Sequence, residues 1–429
     1  MSEPVTPPAG EILPDAGKPS NEKRPRVLSG MRPTGRLHIG HYFGALQNWV
    51  KMQDTHDCFY CVVDWHALTT HYEDTGSIAQ NVLEVATDWL AVGLDPQRAT
   101  LFLQSSVLEH AELHLLLSMV TPLSWLERVP TYKEQIENLR ERDLGTYGFL
   151  GYPLLQTADI VLYGEPDRAI DVPVGEDQAP HIELSREIVR RFNTQFGFET
   201  KIPAGNPGLA LELAEQVGIN KTYFEASKGG PDVFRGMFRK RALEVGLNNF
   251  VASLGDEKRY FRFGQILREP DVKLTETPRL PGLDGRRMAK SYGNAIWLSD
   301  PPDEIRKKVR NMLTDPQRVR RTDPGRPEIC PVFCYHKVFS PAETVAEVDR
   351  DCRTAAIGCV DCKGKMADGL VRWIEPIQAR RKEFEAHPGK VWDILDAGSK
   401  KAGVTAKRTM KRVREAIFDW DAVRGASGR

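Results

Sequence analysis

Two short apolar runs, Cys58–Asp64 and Ala99–Gln104, flank a stretch of helical periodicity from Ser77 to Val92. Runs of strand length joined across a helix leave few arrangements open. The strands must lie parallel, with the helix packed across them as a βαβ unit. The same theme starts earlier, where Arg26–Ser29 leads through a Gly/Pro/Thr turn into a helical pattern from His38 towards Gln53. Helical patterns dominate from Glu109 to Asn193 and again from Asp303 onward, so the expected class is α/β with much added helix.

The chain has 429 residues, enough for two or three domains. Residues 1–24 are proline-rich with few large apolar groups and read as a disordered tail. Residues 204–265 differ in texture: helical periodicity at Leu209–Val217 and Asp232–Val245 is divided by Lys228-Gly-Gly-Pro231. This reads as an appended, mainly helical piece without a metal site. No apolar run approaches the ~18 residues of a membrane span, and the N-terminal segment lacks a secretory or transit pattern, so a cytoplasmic protein is expected. Lys+Arg and Asp+Glu both number 59, yet the zero sum hides a division. Residues 301–429 hold 27 basic and 19 acidic residues, a surplus that either faces a polyanion or is plain solvated surface.

Four groups of residues carry chemistry. In Ser29-Gly30-Met31-Arg32-Pro33-Thr34-Gly35-Arg36-Leu37-His38-Ile39-Gly40-His41, a turn runs from a strand into a helix start and offers backbone N–H groups to phosphate. Its two imidazoles, three residues apart, can reach one set of ligand oxygens, and Gly40 between them lets a flat base approach. Asp284-Gly-Arg-Arg287-Met288-Ala289-Lys290-Ser291-Tyr-Gly-Asn294 is a basic loop bracketed by glycine, suited to a phosphate whose charge grows in a transition state. Tyr152, Gln156 and Asp159 fall on one helix face and could hold an amino group or an indole N–H. Cys330, Cys352, Cys359 and Cys362 can hold a tetrahedral metal or a cluster, with Cys334 a competing first ligand. Cys58 and Cys61 fall on opposite faces of a strand and read as core thiols. Finally, Lys400–Arg414 contains seven basic residues and no acidic ones, with Lys407, Lys411 and Arg414 on one face.

The histidine turn and the lysine loop together resemble the two signatures of class I aminoacyl-tRNA synthetases. Asp64-Trp-His66-Ala-Leu-Thr-Thr, Tyr152–Ile160, and Val172–Gln178 followed by His181-Ile-Glu-Leu are similar to the bacterial tryptophanyl-tRNA synthetases among them. The resemblance covers about 26–197 and 268–420 and leaves 204–265 as an insertion. It departs from the usual pattern at Arg287, Ala289 and Arg32, while Lys290 is retained.

The resemblance implies a Rossmann-like catalytic domain at 25–203 and 266–300 and a helical, tRNA-binding domain at 301–429. It implies ATP and Mg2+, L-tryptophan and tRNA(Trp), and a homodimer. Catalysis would rest on His38, His41, Lys290 and Ser291. The nucleotide would be held by Gly30, Arg32, Pro33, Thr34, Gly40, His41, Gly175, Glu176, Asp177, Leu280, Arg287, Met288, Ala289, Lys290 and Ser291. His66, Tyr152, Gln156, Asp159 and Gln178 would line the amino-acid pocket. The four cysteines would hold a [4Fe-4S] cluster, with zinc or free thiols as alternatives. Tyrosine as substrate, and a regulatory paralogue that does not charge tRNA, stay open at this level.

Overall fold

The computed structural model describes residues 24–129, 145–175, 178–203, 206–220, 222, 231–274, 280–420 and 424. Among these, seven strands form two sheets: β1 (Arg26–Met31), β2 (Asp57–Val62), β3 (Ala99–Leu103), β4 (Ile170–Val174), β5 (Phe198–Thr200), β6 (Phe261–Phe263) and β7 (Asp271–Leu274). The main sheet has the order β3-β2-β1-β4-β7 and is parallel throughout. The alternation expected around residues 58–104 is therefore the centre of the fold. These strands read as unbroken apolar runs because helices cover both faces. In β2, Cys58, Tyr60 and Val62 enter one core, and Phe59 and Cys61 enter the other. The two thiols are buried on opposite faces, as their spacing implied.

The long C-terminal helices share these cores. Met366, Leu370 and Trp373, from the helix Cys359–Glu385, pack into the first. The last helix, Pro388–Phe418, runs past the free edge of β3 and serves both faces. Val391 and Leu395 join the first core, and Ala402, Ala406 and Met410 the second. The crossing is made at Gly398, where a Cβ would stand 1.8 Å from the Leu101 carbonyl oxygen. Ser399 Oγ then accepts the Leu103 N–H at 3.2 Å, so the helix covers the sheet edge.

The appended piece has its own core. Ala210, Leu213, Phe238, Phe250 and Phe261 bury one another with Phe198, and the ribbon β5–β6 closes the base. At that base Gly197 and Gly264 touch backbone to backbone: a Cβ on Gly197 would lie 2.4 Å from the Gly264 oxygen.

Candidate active site

The C-terminal ends of parallel strands are where such sheets bind ligands, and two cavities open there. The first, of about 330 Å³, is lined by residues at the ends of β1 and β4, including Gly30 and Gly175, and by His66, Tyr152, Gln156, Asp159 and Gln178. All five residues expected for the amino-acid pocket thus line one cavity. Asp159 lies on the helix Tyr152–Val161 and is almost fully buried. His66 Nε2 donates to its Oδ2 at 2.8 Å, His110 Nδ1 to its Oδ1 at 2.7 Å, and Gln104 Nε2 reaches both oxygens. Tyr163 Oη lies 2.8 Å from His110 Nε2 and holds that ring from its other side. Burial alone would raise the Asp159 carboxyl, but His110 and His66 hold it well below the usual carboxylate range. Tyr152 lies edge-on to His66, ring centroids 4.5 Å apart, and His181 Nδ1 donates to Gln156 Oε1 at 3.0 Å.

The second cavity, of about 760 Å³, is lined by Thr34, His38, Gly40, His41, Leu280, Arg287, Met288, Ala289 and Lys290. It meets the first at Gly44, which lines both. Gly44 sits in a π-helical turn, Tyr42–Leu46, that widens the helix after His41. Nothing stands within 4 Å of a Cβ built on Gly44, so the junction is open. His38 and His41 stack at 3.6 Å, and His41 Nδ1 accepts the His38 backbone N–H at 3.2 Å. This leaves Nε2–H of His41 as a donor. Burial, with help from the Lys290 charge, lowers His38 to about 4, and His41 is also shifted down, so both rings are neutral near pH 7. The space beside Gly40 is taken by the His38 ring and Met288 Sδ: a Cβ there would lie 2.9 Å from His38 Nδ1. In this structure the glycine admits an imidazole.

The lysine loop folds onto the histidine turn. Lys290 Nζ donates to the Thr34 carbonyl at 2.8 Å and stands over the Trp297 ring. Burial lowers its ammonium to about 8. Gly35 lies beneath with φ +97°, a conformation that favours glycine. Asn294, buried, pins the loop: its Oδ1 accepts the Ala289 N–H at 2.9 Å, and its Nδ2 donates to Asp284 and to the Arg287 carbonyl.

Some expected residues stand elsewhere. Gly30 and Gly175, assigned to the nucleotide, line the first cavity and not the second. Arg32, Pro33 and Ser291 line neither, although the Arg32 charge is felt at Tyr152. Glu176 and Asp177 lie outside the described residues. Gln104, His110, Tyr163 and Asn294 were not singled out from the sequence. Gln104 had a signal, because it directly follows β3 at the ligand-binding end of the sheet.

The four cysteines gather at the start of the helix Cys359–Glu385. The charges of Cys330, Cys352 and Cys359 are all felt at Cys362, whose thiol burial pushes up to about 12. Among the described residues no group of three or more His, Cys, Asp or Glu stands at metal-holding spacing. Cys362 Sγ lies 3.4 Å from His336 Nε2, and Cys352 Sγ lies 3.6 Å from the Arg318 guanidinium. In the basic run, Arg414 pairs with Glu112 and Arg408 with Glu165, while Arg412 donates to the Gly164 carbonyl. Part of that run therefore ties the last helix to the body of the molecule.

A sheet of this order, with a histidine turn facing a lysine loop, defines a class I synthetase, and comparison agrees. The model of the class I tRNA synthetases (W and Y) matches residues 20–218 and 253–374, and the chain belongs to that family. The family model passes over 219–252, a narrower gap than the 204–265 expected from the sequence. The chain is 50% identical over 399 residues to the tryptophan–tRNA ligase of Ralstonia nicotianae, covering 91% of this chain and 98% of that one. It is 42% identical over 394 residues to the ligase of the same name from Thermotoga maritima, with the same coverage. The crystal structure of tryptophanyl-tRNA synthetase from Campylobacter jejuni, complexed with ADP and tryptophan, superposes with a TM-score of 0.69 at 27% identity, covering 91% of this chain and 99% of that one. No described helix is long and apolar enough to cross a membrane.

Proposed function

We propose that the chain activates L-tryptophan with ATP and passes the tryptophanyl group to the terminal ribose of tRNA(Trp). The observation that carries this is the meeting of the two cavities at Gly44. One cavity holds a charged, buried carboxylate shell; the other holds neutral imidazoles opposite a lysine. The amino acid's carboxylate oxygen attacks the α-phosphorus, the bond to the bridging β-phosphate oxygen breaks, and pyrophosphate leaves with those electrons. No protein nucleophile is required, because positioning and charge neutralisation lower the barrier. His38 and His41, being neutral, donate hydrogen bonds to phosphate oxygens, and Lys290 supplies the positive charge. Mg2+ adds further neutralisation on the phosphates when bound. Thr34, Gly40, Leu280, Met288 and Ala289 shape the phosphate cavity.

Tryptophan is favoured over tyrosine by the ligases that match at 50% and 42% identity, both of which act on tryptophan by name. A cavity of fixed polar groups can reject analogues by orders of magnitude, which fits a wall whose Asp159 carboxylate is locked by three side chains. Charging of total tRNA with labelled tryptophan tests the proposal. Incorporation supports it, and tryptophan-dependent exchange without charging would instead favour a regulatory paralogue.

Two finer assignments follow. Leu108, Leu115, Met119, Leu123 and Tyr147 leave an exposed apolar surface that suits a homodimer contact. Cys330, Cys352, Cys359 and Cys362 are the residues that would hold a [4Fe-4S] cluster. Burial raises the thiols of Cys330, Cys352 and Cys362, so the thiolates such a group requires would form as the metal binds, with the Arg318 guanidinium beside Cys352 helping. The cluster would brace the helices it joins and takes no part in the activation step. Iron and acid-labile sulfide after anaerobic purification support the cluster, whereas zinc alone contradicts it.

A further inference from the structure

The histidine turn is tied to the C-terminal helices through one buried carboxylate that plays no part in the chemistry above. The Leu37 N–H, one residue before His38, donates to Asp88 Oδ2 at 2.7 Å. Leu37 is also held from the other side, where its carbonyl accepts the Leu298 N–H at 2.9 Å. Asp88 lies on the helix Ile78–Ala91 and has no exposed surface. Its other oxygen pairs with Arg381 Nη1, on the helix Cys359–Glu385. Arg381, itself buried, also pairs with Glu84 through Nη2 and with Glu385 through Nε at 3.0 Å. Glu84 Oε2 in turn accepts from Arg36 Nε at 3.1 Å, again within the histidine turn. One guanidinium thus serves three carboxylates, two of which grip the turn.

A buried ion pair is weak evidence for stability, because an apolar pair of like volume often serves as well. What a fixed guanidinium fork supplies is orientation, since a lysine offers only a point charge. We propose that Asp88 and Arg381 are positioning residues. They set the distance of His38 and His41 from the phosphates and transmit the placement of the C-terminal helices to the ATP site. The inference rests on the reading of the second cavity as the phosphate site.

The test is pyrophosphate exchange by the full-length Arg381→Lys, Asp88→Asn and Asp88→Asn/Arg381→Met proteins. It is run beside thermal unfolding and equilibrium dialysis with labelled tryptophan. The single variants are expected to lose tenfold or more in kcat/KM for ATP while tryptophan affinity stays within twofold. The double variant, which leaves Glu84 paired with Arg36 and only the exposed Glu385 without a partner, is expected to regain most of the unfolding temperature without regaining the exchange rate. The inference is overturned if folded single variants keep kcat/KM for ATP within twofold, or if tryptophan affinity falls in parallel. Joint recovery of temperature and rate in the double variant would also overturn it, by showing a purely structural role. A wild type inactive in exchange would instead remove the reading of the cavity itself.

Discussion

The two cavities that meet at Gly44 are built on opposite plans. In the amino-acid cavity the charged group is saturated: Asp159 receives hydrogen bonds from His66, His110 and Gln104, each on a separate element packed into the core. In the phosphate cavity the charged group is held lightly: Lys290 rests on the Thr34 hydroxyl and carbonyl, at the end of a loop pinned by Asn294. Choosing one amino acid needs a shape that does not adjust. Neutralising charge that develops during a reaction needs donors aimed at where it will appear, and a loop-borne lysine can be brought there as substrate binds. The contrast separates the site into a part that selects and a part that reacts.

Substitutions can break that separation. The largest effect is expected for Lys290→Ala, a loss of about 10²–10³-fold in the exchange rate. Tryptophan binding, followed by equilibrium dialysis, should remain intact. Asp159→Asn should act on the other side, raising KM for tryptophan about tenfold or more. It should also destabilise the fold by about 1–3 kcal/mol in thermal unfolding, because a buried donor loses its partner. Were KM for tryptophan unchanged, the selecting role would pass to other residues of that wall. Gly40→Ala should reduce kcat/KM for ATP by about tenfold through displacement of the His38 ring. Steady-state kinetics at fixed tryptophan would show it.

The smallest effect sharpens the electrostatics. Lys290 titrates at about 8 in the free protein, so its cationic form is lost as pH rises through that value. The profile of kcat/KM for ATP should have fallen to about half its plateau there, and Lys290→Arg should move that limb to higher pH. An unchanged limb in that variant would assign it to another group.

The centre of the fold was legible because β2 and β3 are buried on both faces, which writes them as apolar runs between helices, while β1 was marked by the Gly/Pro/Thr turn that follows it. Strand β4 was not, because Asp171 and Pro173 interrupt it; the buried Asp171 is paired with His56 and Lys273. Strands β5 and β6, at three residues each, are too short to show a period. The two signature segments marked both sides of the phosphate cavity through residue types that few folds place in a turn. His110 stayed hidden because a shell of donors forms only when distant elements converge on one carboxylate. The Asp88–Arg381 contact lies further still from local pattern, joining positions 293 residues apart. For Gly398, the need for a bare backbone becomes visible only when the last helix meets β3.

Pyrophosphate exchange driven by each amino acid in turn, with the wild-type protein and ATP, tests the division into selecting and reacting cavities most directly. Exchange supported by tryptophan, with tyrosine at least a hundredfold weaker, is the predicted result. Exchange driven by tyrosine, or equally by both, would contradict it.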